Sequence, residues 1–363
     1  MKRIKVNLGS DSHIIWVGSG LSSKITQGLK QLKLEGNLLV VSQQPVLNKH
    51  RAYITKAIRK ANLKPVFHIL PNGEAAKSEK ELFRIYDSML KAKLDRSSYV
   101  LALGGGTVGD VAGFAASTFK RGLGYIQVPT TLLAQVDSAI GGKTAINLKA
   151  GKNLVGSFYQ PNVIFSDIKL LKTLPKQVIS DSLAEVIKYG MIHGGRFFGW
   201  LEKNIVKAKN GNMQILEKIV VESSKIKVFV VESDVNEAKG YRDILNYGHT
   251  FGHALEAALG YKRITHGRAV ALGMIAASEL AYRLGFISRN IVDRQFHLIE
   301  SAGLPTSLKG LRLDPKRITS YLKVDKKVRK GQIKFILPQG IGKLVSLKGI
   351  SPSLVEEILK SII

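Results

Sequence analysis

YVLALGGGTVGDVAGFAASTFKRGLGYIQVPTTLLAQVDSAIGGKTAINLKAGKNLVG, residues 99–156, is the stretch whose reading decides the fold. It opens on an apolar run, Tyr99 to Leu103, of the length of a buried strand. The triplet Gly104-Gly105-Gly106 follows at once. Thr107, Gly109 and Asp110 come next, among small residues that suit the start of a close-packed helix. Backbone N–H groups on such a loop, with a helix N-terminus behind them, form a site for a pyrophosphate.

Upstream, strand and helix patterns alternate. Residues 2–17 read as a strand pair, 20–33 as a helix, 37–42 as a buried strand, 47–62 as a helix, 66–70 as a strand and 77–94 as a helix. This alternation predicts βαβ units and a mainly parallel sheet. Such sheets bind ligands at the carboxyl ends of their strands. Asn72-Gly73-Glu74, Gly104 to Asp110 and Pro129-Thr130-Thr131 all follow strand ends. Downstream, helical patterns take over at Ser182–Met191, Met213–Val231, Ile244–Leu259 and Ala269–Leu284, with one short strand at Gln332–Leu337. The expected domains are 1–175, α/β, and 176–363, all-α, with the break at Leu174-Pro175.

Composition narrows the class. A chain of 363 residues, 45% hydrophobic, is long enough for two cores. It has no cysteine. Disulfides, thiolate metal sites and cysteine nucleophiles are therefore excluded, and a metal must use histidine and carboxylate. The basic N-terminus runs straight into a strand pattern without a signal-peptide core, and no apolar run is long enough to span a membrane. A cytoplasmic enzyme is expected. The formal charge of +28 raises nucleic acid as a partner. The cations are scattered along the whole chain and no nucleic-acid module is present, so none is expected.

Three groups of residues carry candidate chemistry. Gly104-x-Gly106-x-x-Gly109 matches the dinucleotide fingerprint, but in a late βα unit and with no acidic residue after the next strand. It reads as a phosphate loop in a different arrangement, with Asp110 either a sugar or nicotinamide contact or a helix cap. Asp137, Gly141-Gly142-Lys143-Thr144 and Gly151-Lys152-Asn153 combine glycines that admit a ligand with lysines that meet phosphates. His249 and His253, four residues apart, share a helix face, and His266 follows. With Glu185 they make a His/carboxylate metal site. Glu185 and Lys188 also fit an ordinary surface pair.

The blocks GGGTVGDVAGFAASTFKRG, VPTTLLAQVDSAIGGKTAIN, GKNLVGSFYQP, LAEVIKYG, LNYGHTFGHALE and HGRAVALGM, in that order, resemble 3-dehydroquinate synthase. The resemblance spans about residues 70–340. It implies a Rossmann-like NAD-binding domain, a helical metal-binding domain, an active site between them and a homodimer. It implies a zinc site of Glu185, His249 and His266, with cobalt a possible substitute. NAD would be met by Asn72, Gly73, Glu74, Lys77, Gly106, Thr107, Val108, Gly109, Asp110, Thr130, Thr131, Lys143, Lys152, Leu170, Leu171, Lys172 and Thr173. Substrate would be met by Asp137, Lys143, Asn153, Lys188, Lys227, Arg242, Asn246, His253 and Lys326, with Lys327 the alternative to Lys326. Arg121 would reach the partner subunit's phosphate site. The sequence Asp234-Val-Asn-Glu237-Ala-Lys-Gly240-Tyr-Arg242 is read as one residue longer than the family pattern, with Glu237 the candidate acidic residue. The loop between His253 and His266 is also read as one residue longer.

The implied substrate is a phosphorylated keto acid, 3-deoxy-D-arabino-heptulosonate 7-phosphate. The implied products are 3-dehydroquinate and phosphate, in the shikimate pathway. The resemblance implies that NAD is reduced and reoxidised within each turnover, around a phosphate elimination and before an aldol closure. Rival readings are a sugar-phosphate cyclase acting on sedoheptulose 7-phosphate or glucose 6-phosphate, a metal-dependent polyol dehydrogenase, and a basic nucleic-acid binder. Lys227 and Arg242, as carboxylate binders, favour the first assignment over the cyclases.

Overall fold

A computed structural model of the chain describes residues 1–309, 314–324 and 333–362. The chain divides into two compact units, Met1–Leu174 with Leu216–Asn236, and Pro175–Ile215 with Glu237–Ile363.

The first unit comprises β1 (Lys2–Val6), β2 (His13–Gly18), α1 (Ser22–Gln31), β3 (Asn37–Gln43), α2 (Gln44–Lys60), β4 (Lys64–Leu70), α3 (Glu79–Lys91), β5 (Tyr99–Gly104), α4 (Gly106–Thr118), β6 (Gly124–Pro129), β7 (Lys143–Leu148), β8 (Gly151–Phe158) and β9 (Val163–Asp167). Seven strands form one sheet in the order β1-β2-β9-β6-β5-β3-β4. All neighbours are parallel except the edge pair β1–β2. The apolar runs of β3 and β5 are buried on both faces, as a helix-covered parallel sheet requires. Their side chains alternate between two cores. Leu39, Val41, Val100 and Ala102 pack with Ile85, Val108 and Val111. Leu38, Val40, Leu101 and Leu103 pack with Ile25, Leu29 and Ile54.

From β3 the chain builds outward to β4, then returns to lay β5 on the other side of β3. That reversal leaves a crevice at the carboxyl ends of β3 and β5, where doubly wound sheets bind ligands. The glycine triplet sits at that point. Its position late in the chain is therefore no obstacle to nucleotide binding, because the winding order selects the site.

The stretch after β6 forms the β7–β8 hairpin, Lys143 opposite Phe158. Gly156 is required there, since a Cβ would stand 2.1 Å from the Thr144 carbonyl oxygen.

The second unit carries α5 (Lys176–His193), α6 (Gly195–Lys209), the first residues of α7 (Met213–Ser233), α8 (His249–Ala258), α9 (His266–Arg283), α10 (Arg289–Ser301), α11 (Pro315–Val324), β10 (Phe335–Gly340), β11 (Lys343–Leu347) and α12 (Pro352–Ser361). The rest of α7 belongs to the first unit. There Lys227 bonds Asp137 and Glu232 accepts from the Asn7 amide at 2.6 Å. A single break at Leu174-Pro175 cannot reveal such an excursion. The second unit is mainly helical, as expected. The expected strand pairs with β11 in an antiparallel hairpin, Phe335 opposite Leu347, because an isolated strand leaves its backbone unsatisfied.

The helical pattern expected over Ile244–Leu259 is interrupted. Tyr241–Asn246 is a tight 3-10 turn, and Gly248 takes φ 78° before α8 starts at His249. Helices α5, α8 and α9 then meet backbone to backbone. A Cβ on Gly267 would stand 1.8 Å from the Asp181 carbonyl oxygen in α5, and one on Gly273 1.9 Å from that of Gly248. No helix among the described residues is long and apolar enough to cross a membrane.

Gly273→Ala is expected to cost about 3 kcal/mol, the upper range for overpacking a rigid contact. Urea unfolding of wild type and variant checks this, and an unchanged midpoint would contradict the contact.

Candidate active site

The candidate residues of each unit are placed by local structure. In the first unit, α4 starts at Gly106, the last residue of the triplet, and Gly109 N–H donates to Gly105 carbonyl oxygen at 3.1 Å. The amides of Gly106, Thr107 and Val108 precede the first intrahelical donor, the Gly109 N–H, and are available to an anion. A Cβ on Gly106 would come 2.7 Å from the Ser138 hydroxyl, and one on Gly105 3.2 Å from Thr131. Small residues are needed because this turn is wedged against the turn after β6.

Asn72, Gly73 and Glu74 follow β4, Thr130 and Thr131 follow β6, and Leu170, Leu171, Lys172 and Thr173 follow β9. Because these strands are parallel, all the loops leave the same edge of the sheet. Leu170 and Leu171 are buried packing residues. Thr173 ties the segment to α2 through its hydroxyl and the His50 ring, 3.0 Å apart.

Lys77 is 4% exposed and donates to both Asp110 and Asn153. Asp110 lies beyond the first turn of α4, so it is not a helix cap. Burial pushes its carboxyl up, with Lys77 opposing. Asn147 bonds Glu74 at 2.7 Å, and its side-chain oxygen accepts from the Asn153 amide at 2.9 Å. Nucleotide-loop and hairpin residues thus form one network. Lys143 and Lys152 lie on the hairpin, and Lys227 donates to the carboxylate and carbonyl of Asp137. Arg121 is elsewhere. It precedes β6 and so lies at the opposite edge of the sheet, beyond a 13-residue helix spanning about 20 Å.

In the second unit, Glu185 is fully buried and Lys188 is 2% exposed. The surface-pair reading is thereby excluded. Lys188 holds Oε2 of Glu185, while Oε1 faces His249 Nε2 at 3.3 Å and His266 Nε2 at 3.5 Å. The other nitrogen of each ring is engaged. His249 Nδ1 lies 3.1 Å from the Tyr247 carbonyl oxygen, and His266 Nδ1 lies 3.1 Å from Glu256. Burial opposes charge on the Glu185 carboxyl, but Lys188 and His249 outweigh it and hold the group well below the usual range. Burial lowers His249. For His266 burial is outweighed by Glu185 and Glu256, which push it up to about 10.

The donor set fits a divalent cation. One carboxylate oxygen and two imidazole nitrogens lie within 4.8 Å of one another. Donors about 2.1 Å from a tetrahedral ion are separated by about 3.4 Å, which matches the spacing from Glu185 Oε1 to both rings. His253 packs its ring 5.4 Å from that of His249. Arg242 is buried 3.5 Å from Glu237, and Asn246 ends the same turn. Lys326 and Lys327 lie outside the described residues.

Sequence reasoning missed Glu256 and the end of β3. Glu256 is seven residues beyond His249, on the same helix stripe, and that spacing was the available signal. Ser42 and Gln43 border the crevice, where Ser42 donates to the Leu103 carbonyl at 2.7 Å and Gln43 to that of Pro71 at 2.8 Å.

Residues 67–181 match the 3-dehydroquinate synthase N-terminal family and residues 182–328 its C-terminal counterpart. The chain belongs to the 3-dehydroquinate synthase family. It is 43% identical to the 3-dehydroquinate synthase of Desulforamulus reducens, covering 96% of this chain and 97% of that one. Against that of Crocosphaera subtropica it is 41% identical, covering 99% and 98%. Among solved structures it resembles 2-deoxy-scyllo-inosose synthase complexed with carbaglucose-6-phosphate, NAD+ and Co2+, with TM-score 0.91, 26% identity and full coverage of both chains. It shares its fold with 2-epi-5-epi-valiolone synthase from Streptomyces hygroscopicus, solved with NAD+ and Zn2+, at TM-score 0.89, 24% identity and 98% of each chain.

Treatment with a chelator is expected to abolish activity, and zinc or cobalt to restore it. Metal analysis beside the assay checks this, and full activity in metal-free protein would contradict the site.

Proposed function

We propose that the protein is a 3-dehydroquinate synthase, a phosphate-eliminating carbon–oxygen lyase that turns 3-deoxy-D-arabino-heptulosonate 7-phosphate into 3-dehydroquinate and phosphate. The observation that carries the reading is the buried Glu185 carboxylate with both imidazoles at ligand spacing, in a chain 41–43% identical to enzymes of that name over nearly its full length. The lower identity to the inosose and valiolone cyclases, and the carboxylate-binding role read for Lys227 and Arg242, disfavour those substrates.

Bound NAD supplies a hydride acceptor that is regenerated within the turnover, and a bound divalent metal, zinc in this reading, supplies Lewis-acid polarisation of substrate oxygens. The α4 N-terminus receives the pyrophosphate, and Lys77 fixes Asp110 and Asn153 beside it. Lys188 neutralises the oxygen of Glu185 that does not face the histidines, leaving Oε1 to the metal. Arg242, planar and buried, offers a bidentate grip on the substrate carboxylate. Lys227 is read with Arg242 as a carboxylate binder, while Lys143 and Lys152 supply positive charge around cofactor and phosphate. No strong base need be provided, since the departing phosphate can take the proton. The protein's contribution is position and charge.

Arg121 fits a role in a homodimer. Lys120 and Arg121 both take positive φ, 49° and 69°, a costly conformation for non-glycine residues. It places Arg121 on the surface, away from this chain's own nucleotide loops, which suits a contact with a second subunit.

Incubation with the heptulosonate phosphate should release equimolar phosphate and dehydroquinate with no net NADH. Net NADH accumulation would indicate a dehydrogenase instead. Lys227→Ala should weaken substrate use about 10–100-fold, the loss of one charge-assisted bond, while sparing metal and NAD binding. Unchanged kinetics would refute that role.

A further inference from the structure

We infer that Glu256 is a positioning residue for the metal site, acting through His266. The inference rests on the metal reading above. Helix α8 presents His249, His253 and Glu256 at intervals of four and three residues, a single stripe facing α9. Glu256 is 6% exposed, so its carboxylate requires a local polar partner. His266, the first residue of α9, supplies one across the helix pair. Its Nδ1 is 3.1 Å from a Glu256 oxygen and its Nε2 is 3.5 Å from Glu185 Oε1.

The two metal-site imidazoles are therefore set by different devices. His249 is held by the backbone, through the Tyr247 carbonyl oxygen immediately before α8. Among the described residues, no such backbone acceptor stands against the His266 ring. His266 opens a helix and its side chain is about a third exposed. The Glu256 carboxylate takes the place of the carbonyl. It accepts from Nδ1–H, so that when a metal displaces the other ring proton the lone pair stands on Nε2, the nitrogen beside Glu185. A carboxylate also makes the imidazole a stronger donor than a carbonyl would. One ring nitrogen of His253 falls within 4.8 Å of the donors of Glu256 and His266. The same carboxylate thus lies between a metal ligand and a residue read as contacting substrate.

The test uses the full chain as wild type, Glu256→Ala, Glu256→Gln and Glu185→Ala. Cobalt affinity is measured by competition with a chromophoric chelator, the visible cobalt bands report ligand geometry, and NAD affinity reports an intact first unit. Glu256→Ala should bind cobalt about 10–100-fold more weakly, with altered bands and unchanged NAD affinity. Glu256→Gln keeps an acceptor but loses the charge. It should keep the wild-type band positions and weaken binding by about tenfold, the low end of that range. If Glu256→Ala fails to fold, the weakening in Glu256→Gln carries the test. Wild-type cobalt affinity and bands in the Glu256 variants, with binding lost in Glu185→Ala, would overturn the inference and leave the metal site standing. A wild-type protein that takes up no cobalt would overturn the metal site, and the inference with it.

Discussion

A fully buried carboxylate is the constraint on which the second unit depends. Taking Glu185 out of water costs several kcal/mol unless its charge is met by close partners. Three are present. Lys188 meets one oxygen from the next turn of α5, and His249 and His266 approach the other from α8 and α9. They reach it only because the helices touch at glycines. Gly267 lets α9 lie on α5 one turn before Glu185, and Gly248, Gly252 and Gly273 let α8 lie on α9. Larger residues would push the axes apart and open the donor set. The packing of three helices and the coordination chemistry are thus one problem with one solution.

The first unit solves a different problem, the placing of backbone amides. Winding order selects the crevice beside β5, and the triplet lets α4 begin against the turn after β6. The polar residues around it are mutually engaged, with Lys77 joining Asp110 to Asn153. The candidate residues of this unit are placed mainly by backbone and hydrogen bonds, those of the second unit by buried charge.

Features that depend on local pattern were legible in the sequence. The apolar run at Tyr99, the triplet, the strand–helix alternation and the His249/His253 spacing all express short-range geometry. Residue type already grouped Glu185 and His266 with that pair, and the family blocks singled out Glu185, His249 and His266 as the ligands. What lay beyond reach was tertiary. The return of Leu216–Asn236 to the first unit depends on contacts more than 85 residues away in sequence, such as Lys227 with Asp137. Gly248 reads as a tolerable helix residue until its φ of 78° is seen. The β10–β11 hairpin hides because β11 is only five residues long. Glu256 resembles an ordinary helix acid until α9 brings His266 against it.

Anomalous diffraction at the zinc edge from crystals of zinc-loaded protein tests the central claim most directly. It should show one strong peak about 2.0–2.2 Å from Glu185 Oε1, His249 Nε2 and His266 Nε2. A peak ligated by other residues, or none near Glu185 at saturating zinc, would contradict it.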